Sequence, residues 1–167
     1  KFTENNIKSL EILSSELIAY NKRYNLIGKS TEKAIWNRHI LDSAQLVKFI
    51  DFKAGSLADL GSGAGFPGLV LSIFNENKDF HVKLYEKSPV KRKFLQQIVN
   101  KLGLYATVFP NVYENEINSE FVVCRAFKKL DQVIQVSREI CKKPHKLIVL
   151  KGQNAQDELN KAFKNSK

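Results

Sequence analysis

Between Leu57 and Ser72 the chain reads "LADLGSGAGFPGLVLS", an aspartate, four glycines and a proline between two apolar runs. Gly61, Gly63 and Gly65 allow positive φ and let a ligand approach bare backbone, while Pro67 suits the start of a helix and Gly68 its close packing. Two cofactor classes use such loops. Gly63 to Gly68 satisfies the three-glycine dinucleotide pattern, which by itself is a weak signal. Asp59 separates the readings: a carboxylate two residues before the first glycine repels a pyrophosphate and suits a cation. S-adenosylmethionine carries a sulfonium and an ammonium group, so Asp59 favours that cofactor over NAD. Glu86, at the end of "HVKLYE", stands where an acid accepts hydrogen bonds from two ribose hydroxyls, a feature both cofactors use.

The elements that must position these residues alternate along the chain. The runs "SLADL", "HVKLYE", "ATVF", "FVVCRAF" and "KLIVL" are separated by "FPGLVLSIFNEN", "PVKRKFLQQIVNKLG" and "LDQVIQVSREICKK", the pattern of a parallel sheet with crossover helices. Ahead of them, Ile7, Leu10, Leu13, Leu17 and Tyr20 keep the spacing of one helical face. A second helix is expected from an N-cap at Thr31 through Ile50, with Arg38 and Asp42 spaced as an i, i+4 ion pair. The expected architecture is α/β, Rossmann-like, with helices on both sheet faces. It is read as one domain over residues 1–167: a helical N-terminal cap (1–50), a core (55–151) and a C-terminal segment (152–167). Ligands of such sheets lie beyond the carboxyl ends of the strands.

Charge suggests the other partner. Lys and Arg number 27 against 17 Asp and Glu, a net +10 that attracts polyanions such as nucleic acid. Lys87, Lys91, Arg92 and Lys93, with Lys128 and Lys129, group around strand ends and are candidate phosphate contacts. Lys151 follows the fifth strand run and is a candidate catalytic residue on the substrate side, to bind RNA or position the target base. Cys124 and Cys141 have neither metal-site spacing nor the density of a disulfide scaffold, so no metal is expected and a reducing, cytoplasmic setting is. No apolar run approaches the roughly 20 residues of a membrane span, and a soluble monomer is expected. The chain opens on a lysine and holds no methionine, so further residues are expected beyond it.

Together "YNKRYNLIG", "NRHILDS", "LADLGSGAGFPGLVLSI", "EKSPVKRKFLQQIVNKLGL", "CRAFKKL" and "LIVLKGQ" resemble the bacterial small-subunit ribosomal RNA guanine-N7 methyltransferases, the RsmG or GidB family. The resemblance implies a class I fold and methyl transfer from S-adenosylmethionine to N7 of one guanosine in 16S ribosomal RNA, free or in the small subunit. By motif position it implies cofactor contacts from Gly61, Phe66, Val112, Tyr113 and Arg125, and it raises a catalytic role for His39 in "RHILDS". It also implies a final pair of strands after "LKGQ". The chain departs from the family at Tyr20, where tryptophan is usual, and at Asn111–Tyr113, where an arginine and an acid are usual; Glu114 is the nearest acid.

The residues agree with N7 by exclusion. "VVCRAFKKL" holds neither the Pro-Pro-aromatic segment of exocyclic-amine methylation nor the proline-flanked cysteine of C5 enzymes. Guanine N7 already has a lone pair at the major-groove edge and needs no general base, only alignment. Reaching it demands an exposed base in a loop or flexible segment. Arg125 beside N7 would oppose positive charge arriving on the base, so it is assigned to the cofactor or to guanine O6. Two alternatives stand beside this reading: a NAD-dependent oxidoreductase, and an RNA-binding or ribosome-assembly factor that keeps the cofactor fold without turnover.

Overall fold

The computed structural model of the chain describes residues 2–53, 55–114 and 116–164. Lys1, Asn115 and residues 165–167, which fall in the expected segments, lie outside them. Helix α1 (Glu4–Tyr24) opens with a capping box, in which the Thr3 hydroxyl accepts from Asn6 N–H and the Asn6 side chain accepts from Thr3 N–H. Leu10, Leu13 and Leu17 are fully buried, but Ile7, expected on the same face, is 40% exposed. Its neighbour Asn6 turns inward instead and donates to Ile73 O at 3.0 Å, tying α1 to the helix beneath. Leu13→Ala should therefore lower stability by about 3 kcal/mol, the usual scale for a buried leucine truncation. Urea unfolding measures it.

The expected helix from Thr31 to Ile50 is instead broken. It consists of α2 (Lys29–Glu32), a π-helical turn (Trp36–Leu41), α3 (Asp42–Ala44) and a 3-10 segment (Gln45–Phe49). Thr31 lies inside α2, donating its hydroxyl to Gly28 O, and is not the N-cap. The wider π turn shifts the i, i+4 register, and Arg38 and Asp42 form no ion pair among the described residues. A long-range bond occupies this turn: Arg125 Nη1 donates to Arg38 O at 2.8 Å.

Strands β1 (Gly55–Leu60), β2 (Phe80–Tyr85), β3 (Ala106–Phe109), β4 (Phe121–Arg125) and β5 (Lys146–Leu150) form one parallel sheet in the order β3-β2-β1-β4-β5. Helices α4 (Gly68–Phe74), α5 (Pro89–Leu102), α6 (Leu130–Ile140) and α7 (Ala155–Lys164) complete the layers. Strand alternation sorts the core. Leu57 and Val123 join the apolar cluster with α1, α4 and α5, whereas Ala58, Leu60, Val122 and Cys124 join the one with α6. Chain order reverses between β1 and β4, and that reversal opens a crevice at the carboxyl ends of the strands. Among the described residues no helix is long and apolar enough to cross a membrane.

Candidate active site

A cavity of about 480 Å³ fills that crevice, within the usual range of small-molecule sites. Its walls come from the ends of four strands: Gly61 to Ala64 and Phe66 after β1, Tyr85 to Lys87 at β2, Asn111 to Tyr113 after β3, and Arg125 to Lys128 at β4. Leu26 and Ile27, between α1 and α2, and Lys91 on α5 close it. Gly61 and Gly63 adopt φ of 72° and 58°, and Ala126, at 52°, turns the chain after β4. A Cβ on Gly61 would come within 2.6 Å of the Phe127 ring across the wall. Gly65, at φ 98°, has no place in the lining; a Cβ there would strike Leu69.

Asp59 does not face the cavity. It points to the α4 side of the sheet, fully buried, and its Oδ2 accepts Gly68 N–H at 3.0 Å. Its Oδ1 has no hydrogen-bond partner among the described residues, and burial pushes its pKa up to about 7 against the pull of Ser62, Gly68 and Arg125. The carboxyl group is thus incompletely hydrogen-bonded beneath the glycine loop, and from this orientation it can bear on a ligand in the cavity only through space, not by contact. It also bears on the dinucleotide reading, because a carboxylate already takes one N–H at the start of α4, where a pyrophosphate would meet a like charge.

Glu86, directly after β2, lines the cavity and is largely buried. Oε2 accepts Gly63 N–H and Oε1 accepts Ser88 N–H, each at 2.8 Å. Each oxygen keeps a second lone pair, so the carboxylate is held rigidly and can still accept from hydroxyl groups. Val112 is buried in the wall and Tyr113 is 56% exposed at its edge.

Arg125, His39 and Phe66 form a cluster that local sequence patterns did not reveal. The His39 ring stacks on Phe66 with centroids 4.9 Å apart, and the Arg125 guanidinium sits 5.3 Å from the Phe66 centroid. Arg125 Nη2 lies 2.7 Å from His39 Nδ1. A guanidinium only donates, so Nδ1 holds the lone pair and Nε2 carries the proton. Burial first, then the Arg125 charge, lowers the His39 pKa to about 4, which keeps the ring neutral. Its Nε2–H is buried without a partner among the described residues. His39 itself is absent from the cavity lining and reaches it through Arg125 and Phe66.

Of the candidate phosphate contacts, Lys87, Lys91 and Lys128 line the cavity. Arg92 is turned inward, donating to Glu86 O and Lys87 O, and braces the loop after β2. Lys93 and Lys129 are exposed and outside the wall. Lys151 is also outside it: Nζ pairs with Glu158 on α7 at 2.7 Å and donates to Lys128 O at 2.8 Å. Cys124 is fully buried, and desolvation pushes its thiol up to about 12, as suits a packing residue rather than a nucleophile. No cluster of three or more metal-ligating His, Cys, Asp or Glu occurs among the described residues.

Sequence reasoning overlooked Leu26, Ile27, Ser62, Tyr85 and Phe127 as wall residues. "YNLIG" and "CRAF" hold three of them, Leu26, Ile27 and Phe127, as apolar residues at element ends.

Comparison with known proteins agrees with this geometry. The family profile GidB, described as rRNA small subunit methyltransferase G, matches residues 6–167. The ribosomal RNA small subunit methyltransferase G of Rickettsia typhi is 38% identical over 158 residues, covering 93% of this chain and 80% of that protein. Its namesake from Pelagibacter ubique is 35% identical over 161 residues, covering 93% and 76%. Among solved structures, a SAM-dependent O-methyltransferase from Thermotoga maritima matches with a TM-score of 0.62 and 19% identity over 81% of this chain. This chain spans 54% of that structure's length. A ribosomal protein L11 methylase from Lactobacillus delbrueckii matches with a TM-score of 0.59 and 11% identity, over 74% of this chain and 65% of that one. At such identities the likeness is one of fold, the expected Rossmann-like fold of class I methyltransferases.

Proposed function

The chain belongs to the rRNA small subunit methyltransferase G family, and on that premise we propose that it transfers a methyl group from S-adenosylmethionine to N7 of a guanosine in 16S ribosomal RNA. The observation that carries the N7 assignment is the state of His39. Its one lone pair is committed to Arg125, and its other nitrogen bears a proton, so the ring is not a free base. Glu86 has both carboxylate oxygens bound by backbone N–H groups. Such a site suits a nucleophile that arrives with its lone pair ready, as guanine N7 does.

The residues present fit the cofactor. Gly61 and Gly63 leave backbone bare where a Cβ on Gly61 would meet Phe127, and Asp59 Oδ1 is a buried carboxylate oxygen without a partner among the described residues. When bound, S-adenosylmethionine supplies an electrophilic methyl group on a positively charged sulfur. Asp59 offsets positive charge from beneath the loop, and Glu86 accepts from the ribose. Phe66, Val112 and Tyr113 form apolar and aromatic wall, while Gly65 fixes the turn that presents Phe66. Arg125 holds a carboxylate or guanine O6, and His39 positions Arg125. Lys87, Lys91 and Lys128 stand where phosphates of an entering RNA would pass. Lys93, Lys129 and Lys151 have at most a peripheral part, Lys151 only after leaving Glu158.

Tritiated methyl transfer to undermethylated small subunits or 16S RNA tests the reading. Label is expected in RNA. Transfer to a small molecule with none to RNA would overturn it, and tight RNA binding with no methylated product would favour an assembly factor.

A further inference from the structure

A second concavity lies on the N-terminal cap. It measures about 770 Å³, between the end of α1 and α2, and is lined by Lys22, Arg23, Lys29 and Lys33 against one carboxylate, Glu32. All four cations are exposed, and none makes an ion pair among the described residues. The floor is firmly built. Asn21 is 6% exposed; its Nδ2 donates to Glu32 Oε2 at 3.1 Å and its Oδ1 accepts Ile27 N–H at 2.9 Å. That pair of bonds fixes the connector from Asn25 to Lys29 and holds Glu32 against the floor. Two large aromatic side chains in the same stretch, Tyr24 and Trp36, are 47% and 37% exposed.

The connector is a wall common to both concavities: Leu26 and Ile27 line the cofactor cavity, while Asn25 and Lys29 line the groove. The two concavities therefore adjoin, and a strand whose base enters the cavity can reach this groove within a few nucleotides. We infer that the groove binds the sugar-phosphate backbone of the RNA flanking the methylated base, with Tyr24 and Trp36 offering stacking faces to unpaired bases. Charge complementarity identifies the occupant: four cations without an ion pair among the described residues attract a polyanion, and the exposed Trp36 and the outer face of Tyr24, whose ring packs on Tyr20 at 4.7 Å, flank the lining and suit single-stranded nucleic acid. The inference rests on the RNA methyltransferase reading and adds a docking surface distinct from Lys87, Lys91 and Lys128.

The test compares a Lys22→Gln, Lys29→Gln, Lys33→Gln variant with a control, Lys78→Gln, Lys142→Gln, Lys143→Gln. The control removes the same charge at exposed positions ahead of β2 and β5, at the amino ends of the strands, away from the cofactor cavity at their carboxyl ends. Affinity for a 16S RNA fragment is measured from low to high salt, S-adenosylhomocysteine affinity by calorimetry, and methyl transfer on naked RNA and on small subunits. The groove variant should bind RNA about tenfold or more weakly near 0.1 M salt, with a salt slope lower by about two, as expected for three lost phosphate contacts. Cofactor affinity should stay at the wild-type value, and the control should match wild type throughout. Trp36→Ala should weaken RNA binding with no change in that slope. Equal losses in groove variant and control would overturn the inference, as would a defect on subunits with none on naked RNA, which would mark a protein-docking surface. If the wild-type protein methylates no RNA, it is the underlying reading that fails.

Discussion

Gly61→Val is expected to weaken S-adenosylhomocysteine binding at least 100-fold, about 2.7 kcal/mol, while the far-ultraviolet circular dichroism stays that of the parent. Two effects act together. The backbone at Gly61 has φ 72°, a region that a β-branched residue enters only with strain. The new Cβ would also meet the Phe127 ring, whose displacement carries the cavity wall with it. Gly61→Ala keeps the second effect and part of the first, and should cost about tenfold. Isothermal calorimetry measures both. Binding by the valine variant within threefold of the parent would show that the loop after β1 does not hold the cofactor.

Asp59→Asn should move stability and function in opposite directions. The folded pKa of Asp59, about 7, lies above its ordinary value of 3.8. A raised pKa means that its contribution to stability is fully present below about pH 4 and is lost as pH rises through about 7. Asparagine keeps an acceptor for Gly68 N–H and never ionises. Without cofactor, the variant should therefore be the more stable protein at pH 8, by on the order of 2 kcal/mol, and should match the parent near pH 4. Cofactor binding should fall, because the buried negative charge that offsets the ligand's positive charge is gone. In the parent, a cation above the loop favours the ionised carboxyl, so affinity should rise between pH 5 and 7 with release of a proton. Calorimetry in buffers of different ionisation enthalpy measures that release. An asparagine variant with parental affinity and the same pH dependence would remove Asp59 from the account. The loss of stability that a functional charge imposes is a common pattern.

Much of this site was legible in the sequence because its signals are short-range. Alternating apolar runs located all five strands, and "GSGAGFPG" after the first of them located the cavity floor. Asp59 was legible as an acid ahead of the glycines, but not its burial on the Leu57 face of the sheet, under α4. What escaped depends on contacts between distant segments. Arg125 reaches 87 residues back to the Arg38 carbonyl, and the helix expected over Thr31 to Ile50 gives way to a π turn at that point. The tautomer of His39 likewise follows from Arg125; the pairing of Lys151 with Glu158 spans a short stretch of chain but depends on how α7 lies after β5. Neither bond has a local sequence signature. The basic groove has no motif of its own in the sequence: Lys22, Arg23, Lys29 and Lys33 come together around one floor only in the fold.

The central claim, that this chain methylates N7 of a guanosine in 16S ribosomal RNA, is tested most directly by nucleoside mass spectrometry. Small-subunit RNA from cells lacking the protein should contain one 7-methylguanosine fewer than RNA from cells that have it, and the purified protein with S-adenosylmethionine should restore it. An unchanged 7-methylguanosine content, or the loss of a different methylated nucleoside, would contradict the account.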